Sequence, residues 1–277
     1  MQTVSTLSHL RAARLALHGT AGLIPTMGYL HEGHISLARR ARQECDSVIA
    51  SIFVNPAQFG PSEDLAKYPR NLERDLQLLE SAGVDLVWTP TPEEIYPPGF
   101  STWVEVAGLT GPLEGTARPG HFRGVTTVVT KLFNAVQPQR AYFGQKDAQQ
   151  AAVIRKLTRD LDFPIDIVVC PTVREADGLA MSSRNAYLSA EERQAATVLF
   201  RALSAAQQTY EHGERDGDVL RGILHHVIDA EPRAQLQYVS AADYDTLEEL
   251  QTLTGKTLLS MAVFVGKTRL IDNFVLE

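Results

Sequence analysis

Two histidines three residues apart, His31 and His34, lie in the glycine-containing stretch TMGYLHEGH. Residues at this spacing are neighbours on one side of a helix, so both imidazole rings can reach the same ligand. Gly28 and Gly33 let the backbone approach that ligand closely. Where a helix begins, unpaired N–H groups and the helix dipole favour an anion. A single histidine is more often structural or exposed, but this pair predicts a phosphate site.

A second polar segment, GLAMSSRNAY, is predicted to be a loop and contains Met181, Ser182, Ser183 and Arg184. The H-x-G-H pattern resembles the signature of the nucleotidyltransferase superfamily, which is shared with class I aminoacyl-tRNA synthetases. In that superfamily the histidines stabilise charge at the α-phosphate of ATP while pyrophosphate leaves. A mobile K-M-S-K-S-like loop forms the second half of the signature. MSSR alone is a weak motif, and its pairing with the histidines makes it more specific.

The elements that must position these residues are apolar runs alternating with helical patterns. Near-continuous apolarity over a short length is typical of strands buried on both faces, as in a parallel sheet. The alternation predicts a Rossmann-like, doubly wound α/β fold, and the histidine stretch follows its first strand, where such folds bind ligands. The predicted strands are AGLIPT, SVIASIFV (47–54), VDLVWTP (84–90), RAYFG (140–144) and IDIVVCPTV (165–173), and the predicted helices cover 34–45, 71–81 and 147–160.

The pattern changes in the last hundred residues. A capping box at Ser189 and Glu192 predicts a long helix to about Tyr210, and a further helix is predicted over 218–230. The segments QLQYVSAADY and TLLSMAVFVGKTRLIDNFVL predict strands, the second turning at Gly266 as a hairpin. We therefore predict a Rossmann-like domain of residues 1–175 and a smaller C-terminal α+β domain of residues 176–277.

The composition excludes several classes of protein. The chain has 277 residues, 44% of them hydrophobic, and its net charge of -7 disfavours binding to nucleic acid. Cys45 and Cys170 are the two cysteines, too few for a disulfide scaffold or a thiolate-only zinc site. No apolar run approaches the roughly 18 residues of a membrane span. We predict a cytoplasmic protein without a membrane partner.

Other motifs in the chain do not predict a site. TGKT (254–257) and VGKT (265–268) resemble the end of a P-loop, but that loop needs a glycine where Leu250 and Met261 stand. Both are predicted to be hairpin turns. No G-x-G-x-x-G or H-E-x-x-H pattern occurs, and the histidine pair lacks metal-ligand partners nearby in sequence. The sequence does not identify metal ligands.

Three more stretches carry a closer resemblance and are predicted to lie in loops or at strand ends. They are SIFVNPAQFGPSEDLAKYPR (51–70), RPGHFRGVTTVVTKLFNAVQP (118–138) and YFGQKDAQQ (142–150). Together with PTMGYLHEGH and PTVREADGLAMSSRNAYLS they resemble the pantoate–β-alanine ligase family, in order, through nearly all of residues 20–190. RLIDN near the end fits as well. The resemblance implies that ATP and pantoate form pantoyl adenylate, from which β-alanine displaces AMP to give pantothenate.

The resemblance also implies roles for individual residues. His34 would be the catalytic acid, with His31, Lys146 and Arg184 as further fixed positive or donor groups. Gln58 and Gln150 would bind pantoate, and Gln58 would also lie near β-alanine. The family often has Glu at the position of Gln145, which puts a charge-dependent role there in doubt. The ATP-binding set would be Met27, Gly28, Tyr29, Leu30, His31, Glu32, Gly33, His34, Gly144, Gln145, Lys146, Asp147, Val173, Met181, Ser182, Ser183 and Arg184.

Some roles remain open at the level of sequence. Glu73 and Asp75 could help to hold Mg²⁺ on the phosphates, although a solvated acidic face is the favoured interpretation. The roles of Lys67, Arg118, His121 and Arg123 are undecided. The resemblance implies a homodimer and a C-terminal domain that acts as a lid over a reactive adenylate.

Two alternative functions are kept open. Another H-x-G-H nucleotidyltransferase would have the histidine pair but would not be expected to carry NPAQF, HFRGV and GQKD together. A non-catalytic nucleotide-binding module would keep the glycine-rich turn, but it would not need His31, His34, Lys146 and the MSSR loop at once. Exchange of pyrophosphate into ATP separates this second alternative from an enzyme.

Overall fold

The structure is a computed structural model that describes residues 1–61 and 63–277. It divides into two compact units. The first consists of residues 1–144 and 149–171, and the second of residues 145–148 and 172–277. Assigning catalysis to residues 1–175 and a lid to residues 176–277 remains a prediction.

The first unit is built on a parallel sheet of six strands, in the order β1-β4-β3-β2-β5-β6. All five neighbouring pairs are parallel. The predicted α/β class is therefore confirmed, with one short additional strand at the N-terminus. The strands are β1 (Gln2–Val4), β2 (Ala21–Thr26), β3 (Ser47–Ile52), β4 (Leu86–Trp88), β5 (Arg140–Gly144) and β6 (Asp166–Cys170).

The strand order reverses direction between β2 and β5. From β2 the chain proceeds through β3 and β4 on one side, whereas β5 and β6 lie on the other side. The pairing of β2 with β5 covers only Gly22 and Leu23. Pro25, which has no N–H to donate, falls beyond this pairing, so it costs the sheet no hydrogen bond to β5. Such a reversal point is where open α/β sheets bind ligands.

The helices of the first unit largely follow the predicted periodicity. In the second helix, Leu37, Ala38 and Ala41 are buried as predicted. Leu72 was predicted on the apolar face of the third helix but is 47% exposed, because it is the first residue of that helix. The helices are α1 (Leu7–Leu15), α2 (Glu32–Glu44), α3 (Leu72–Ser81), α4 (Pro92–Ile95), α5 (Glu114–Ala117), α6 (His121–Val136) and α7 (Ala148–Asp160).

Helix α6 corrects the prediction that residues 118–138 lie in loops or at strand ends. Its β-branched run disfavours a helix in isolation, but burial of most of the 16 residues outweighs this preference. Gly124 lets the helix approach a neighbouring turn closely. A Cβ atom at this position would lie 2.2 Å from the carbonyl oxygen of Ala57.

Both cysteines are free thiols within this first unit, and both are buried. The Cys45 Sγ lies 3.2 Å from the hydroxyl of Tyr142, which also donates to Glu44 at 3.0 Å. Burial raises the pKa of Tyr142 above its usual range, so the hydroxyl stays protonated. Burial also raises the pKa of the Cys170 thiol.

The second unit packs helices on an antiparallel sheet with the order β7-β8-β9. The predicted long helix from Ser189 to Tyr210 is broken at Thr197, whose hydroxyl donates to the carbonyl of Gln194 at 2.8 Å. The backbone N–H groups of Thr197 and Leu199 bond to carbonyls three residues back, those of Gln194 and Ala196, so the α-helical pattern is interrupted there. The elements are α8 (Ala190–Ala195), α9 (Val198–Glu211), α10 (Gly217–Asp229), β7 (Ala234–Asp243), β8 (Thr257–Val265) and β9 (Thr268–Leu276).

The two P-loop-like motifs have structural explanations. VGKT forms the hairpin between β8 and β9, with Gly266 at φ 58° as predicted. TGKT was also predicted to be a hairpin turn, but it lies at the end of the longer 244–256 connection and leads into β8. Among the helices of the described residues, none is both long and apolar enough to cross a membrane.

Candidate active site

The backbone turns sharply after β2, at residues predicted to contact ATP. Gly28 and Tyr29 are both left-handed, with φ of 83° and 52°. Glycine adopts such angles without steric cost, whereas the conformation of Tyr29 costs about 1–2 kcal/mol. The Oγ1 atom of Thr26 accepts from the Gly28 N–H at 3.3 Å. A turn with this strain needs contacts from elsewhere in the fold to persist.

Helix α3 supplies those contacts through Asp75. Its carboxylate is 1% exposed and accepts from the N–H groups of Tyr29 at 2.6 Å and Leu30 at 2.7 Å. The adjacent Arg74 donates to the Leu30 carbonyl at 2.9 Å and lies over the ring of Tyr29. The favoured interpretation of a solvated acidic face is therefore wrong for Asp75, although Glu73 is exposed.

His31 and His34 come together at the N-terminus of α2. His31 is the N-cap residue, and its Nδ1 accepts from the Gly33 N–H at 3.2 Å. In return, the Nδ1 of His34 accepts from the His31 N–H at 3.3 Å. The two ring centroids are 4.1 Å apart. This is a capping box formed by imidazoles, in which each ring is fixed by one backbone N–H.

These bonds assign one nitrogen of each ring. A ring nitrogen that accepts from an N–H carries no proton itself, so Nδ1 is the acceptor of each ring and Nε2 is the position left for a donor proton. An Nε2–H group is a hydrogen-bond donor, and it stands beside the positive end of the helix dipole. The arrangement can therefore stabilise negative charge that develops on a phosphate oxygen.

Gln58 lies close to this turn, within the short 3₁₀ segment Pro56–Gln58. It is 8% exposed, and its Nε2 lies 3.0 Å from the Sδ of Met27. Asn55 donates to the Gln58 Oε1 at 3.1 Å and to the Gly124 carbonyl at the same distance. The structure thus brings together two of the predicted site residues, Met27 and Gln58, and holds the glutamine amide in one orientation.

A second set of contacts holds the backbone of Gln58. The Nδ1 of His121 lies 2.9 Å from the Gln58 carbonyl oxygen and donates to it, while its Nε2 accepts from Arg118 at 3.1 Å. Burial, and then the charge of Arg118, lowers the pKa of His121 to about 4, so the ring is neutral. Arg118 also pairs with Glu63 through two bonds of 2.9 and 2.6 Å. His121 and Arg118 therefore shape the Gln58 turn.

Two adjacent glutamines lie in the first turn of α7, and only one was predicted to be functional. Gln149 is buried, donates to the carbonyls of Leu109 and Pro112 and accepts from the Glu114 N–H. It therefore fixes the chain around residues 109–114. Gln150, the predicted pantoate residue, is half-buried in the first turn of the helix. Gly144, a predicted ATP contact, ends β5.

In the second unit, residues Gln145–Asp147 form a single 3₁₀ turn. Lys146 is half-buried and Asp147 is exposed. The side chain of Asn273 in β9 donates to the carbonyls of Gln145 at 3.0 Å and Lys146 at 2.9 Å. The Gln145 side chain donates to the Asn273 Oδ1 and accepts from the Tyr244 hydroxyl. Gln145 therefore acts here through its neutral amide.

The predicted nucleotide contacts Val173 and Met181 lie opposite each other in a small hairpin. The Met181 N–H donates to the Val173 carbonyl at 3.0 Å. Arg174 pairs with Asp272 through bonds of 2.7 and 2.8 Å and donates to Gly178 at 2.9 Å. Because Asp272 is 2% exposed, this ion pair is a buried anchor for the hairpin.

The MSSR segment, predicted to be a loop, contains regular structure. Ser183–Tyr187 form a 3₁₀ helix, and the Ser182 Oγ accepts from the Arg184 N–H at 3.3 Å. Ser183 is buried, and Arg184 is partly exposed. Asn185 donates to the Ala180 carbonyl at 3.1 Å, which ties this helix to the hairpin before it.

The predicted site residues are distributed over both units. The first unit holds Met27 to His34, Gln58, Gly144 and Gln150, and the second holds Gln145 to Asp147, Val173 and Met181 to Arg184. Sequence reasoning missed the residues that hold these segments, namely Asn55, Asp272 and Asn273. The acidic first turn of α3 was the one signal that pointed to Asp75. Within the described residues, no group of three His, Cys, Asp or Glu side chains could hold a metal ion.

Comparisons with known proteins agree with the resemblance. The sequence model of a family described as Pantoate-beta-alanine ligase matches residues 1–275. Pantothenate synthetase of Roseiflexus sp. (strain RS-1) is 64% identical over 277 residues, which is 100% of each chain. The crystal structure of pantothenate synthetase from Thermus thermophilus is similar, with a TM-score of 0.95, 50% identity and 99% of each chain covered.

A third relative was solved with ligands. It is the pantoate-beta-alanine ligase from Francisella tularensis, described as complexed with beta-gamma ATP and beta-alanine. It is 35% identical to this chain with a TM-score of 0.82, covering 99% of this chain and 97% of the other. The family match and these identities extend over the full length of the sequence, so the resemblance inferred from the motifs is confirmed. The chain belongs to the pantoate–β-alanine ligase family.

Proposed function

We propose that this chain condenses pantoate with β-alanine to give pantothenate at the expense of ATP, through a pantoyl-adenylate intermediate. The single observation that carries the proposal is the pair of imidazoles at the start of α2, whose centroids are 4.1 Å apart. Two comparisons support the proposal. One is the family match, and the other is the Francisella tularensis relative, which is described as complexed with beta-gamma ATP and beta-alanine.

In the first step, a pantoate carboxylate oxygen bonds to the α-phosphorus of ATP, and the bond from that phosphorus to the leaving pyrophosphate breaks. Negative charge grows on the phosphate oxygens. We propose that the Nε2–H groups of His31 and His34 stabilise this charge, together with the cationic side chains of Lys146 and Arg184. Such fixed donors act chiefly by electrostatic stabilisation and positioning, because they need no rearrangement during the reaction.

In the second step, the neutral β-alanine amine attacks the acyl carbon, the bond from that carbon to the AMP oxygen breaks, and the nitrogen gives up one proton to solvent as the amide forms. We assign pantoate to Gln58 and Gln150, since an amide can both donate to a carboxylate and accept from a hydroxyl. Gln58 is held by Asn55 at its side chain and by His121 at its carbonyl, so its amide is already oriented. The remaining ATP contacts are assigned as the resemblance implies.

Three further parts of the proposal concern the surroundings of the reaction. Mg²⁺ commonly binds through substrate phosphates and one or two carboxylates, so we propose that it arrives with ATP rather than in a preformed protein cage. A homodimer is proposed from the family. A reducing, cytoplasmic compartment suits the buried thiols of Cys45 and Cys170.

The test is release of pyrophosphate from ATP and Mg²⁺ in the presence of pantoate, with β-alanine added or withheld. Without β-alanine we expect a burst of about one equivalent, because the adenylate stays bound. With β-alanine we expect sustained turnover, with pantothenate and AMP identified by mass spectrometry. Release that does not depend on pantoate, from folded protein, would refute the assignment and favour another nucleotide acceptor. A module that only binds nucleotide would release none.

A further inference from the structure

The side chain of Asn273 connects β9 to the turn that carries Lys146. It is 4% exposed, and its Nδ2 donates to two carbonyls in succession, those of Gln145 and Lys146. Because both partners are acceptors, they require the amide nitrogen at that place. The Oδ1 then faces the Gln145 Nε2 at 3.0 Å and accepts from it. All three polar bonds of the side chain are used on this one turn.

The turn has little internal support of its own. It is a three-residue 3₁₀ segment, and such segments have poorer hydrogen-bond geometry than an α-helix. Residues 145–148 group with the second unit, apart from the sequence on both sides of them. The backbone position of Lys146 therefore depends on contacts from distant residues, and Asn273 is 127 residues away in sequence.

The side chain of Asn273 is on the opposite face of β9 from its neighbours Asp272 and Phe274, since side chains alternate along a strand. Phe274 packs against the hydrophobic core of the unit. Asn273 thus lies on the face away from that core. Its side chain is buried there and is hydrogen-bonded to the 145–147 turn. A residue present only to fill the core would be apolar and on the other face.

We propose that Asn273 is a positioning residue for catalysis, which fixes the backbone of Lys146 so that its ammonium group meets the nucleotide phosphates. This inference rests on the proposed function, because that function gives Lys146 its role. The two bonds that the Asn273 Nδ2 donates go to backbone carbonyls, so these two can form with either Gln or Glu at position 145. The inference therefore concerns the amide of Asn273 and not the charge of residue 145.

The test is a double-mutant cycle on pantoate-dependent pyrophosphate release. We expect Asn273→Ala to lower the rate about 100-fold, through misplacement of Lys146. Asn273→Asp, of the same size, should be similarly slow, because a carboxylate cannot donate to the two carbonyls. If Asn273 acts through Lys146, the variant carrying both Lys146→Ala and Asn273→Ala will be no slower than Lys146→Ala alone.

Ser260→Ala is the matched control. Ser260 is the register partner of Asn273 on β8, and its buried Oγ has no hydrogen-bond partner within the described residues. We expect this variant to keep the wild-type rate. Thermal unfolding of every variant shows whether it is folded. If Asn273→Ala is not folded, the test uses Asn273→Asp in its place.

The outcomes separate the two proposals. A wild-type protein without pantoate-dependent release would contradict the proposed function itself. If the wild type is active, a double variant whose loss of rate equals the product of the two single-variant losses would overturn the positioning role. So would a normal rate in either folded Asn273 variant, or in Lys146→Ala, since there would then be nothing for Asn273 to position.

Discussion

Replacing Asp75 with asparagine should loosen the turn of Gly28 and Tyr29 and slow adenylation. The carboxylate now accepts two backbone N–H groups, at 2.6 and 2.7 Å. Asparagine keeps one acceptor but directs its NH₂ group at the other N–H. A buried N–H left unsatisfied costs about 1–3 kcal/mol. The turn also holds Tyr29 in a left-handed conformation that costs about 1–2 kcal/mol. We therefore expect the free energy of unfolding to fall by about 2 kcal/mol.

The assay has two parts, urea unfolding and the burst rate of pyrophosphate release. Because His31 follows this turn directly, we expect the burst rate of Asp75→Asn to fall about 100-fold under conditions where the protein is folded. Glu73→Gln is the control, since Glu73 is exposed on the same helix. It should change neither measurement. A folded Asp75→Asn variant with the wild-type burst rate would show that the turn does not need this carboxylate.

Three further predictions concern other parts of the site. His34→Ala should slow the burst about 100-fold, and His34→Gln should be equally slow while restoring helix stability, because glutamine also completes a capping box. The pKa of His121 is lowered to about 4, so the unfolded chain binds its proton first as pH falls. His121 should therefore lower the free energy of unfolding by roughly 3 kcal/mol as the pH falls from 6.5 to 4. In urea titrations at these pH values, the His121→Gln variant should not show this contribution. Gly124→Ala should raise the KM for pantoate by displacing the turn of Gln58, whereas Gly222→Ala, with open space at its Cβ, should not.

The strands were predictable because their burial is uniform. β2 and β3 are almost wholly buried along their length, and a short continuous apolar run is the sequence pattern that such burial produces. Helix α6 was not predictable in the same way. Its run VTTVV favours a strand when taken alone, and the packing that makes it helical comes from elements far away in sequence. The break at Thr197 is a local change in backbone hydrogen bonding, which periodicity does not reveal.

The site was predictable where its chemistry is local. His31 and His34 are close in sequence, so one helical turn brings them together and their spacing alone indicates it. The residues that hold the site are different, because they act over long sequence separations. Asp75 lies 45 residues from Leu30, and Asn273 lies 128 residues from Gln145. Such pairs are defined by the fold, and a single sequence does not show which distant backbone groups a side chain will hold.

The two buried thiols make this chain a natural reporter of its own local opening. Cys45 and Cys170 are 6% and 5% exposed, and both belong to the first unit. A thiol reagent can reach them only from transiently opened states, so its rate of reaction measures the free energy of opening. Because the second unit contains no cysteine, labelling would report on the first unit alone. Substrate-induced protection could then be followed in the first unit without introducing any probe.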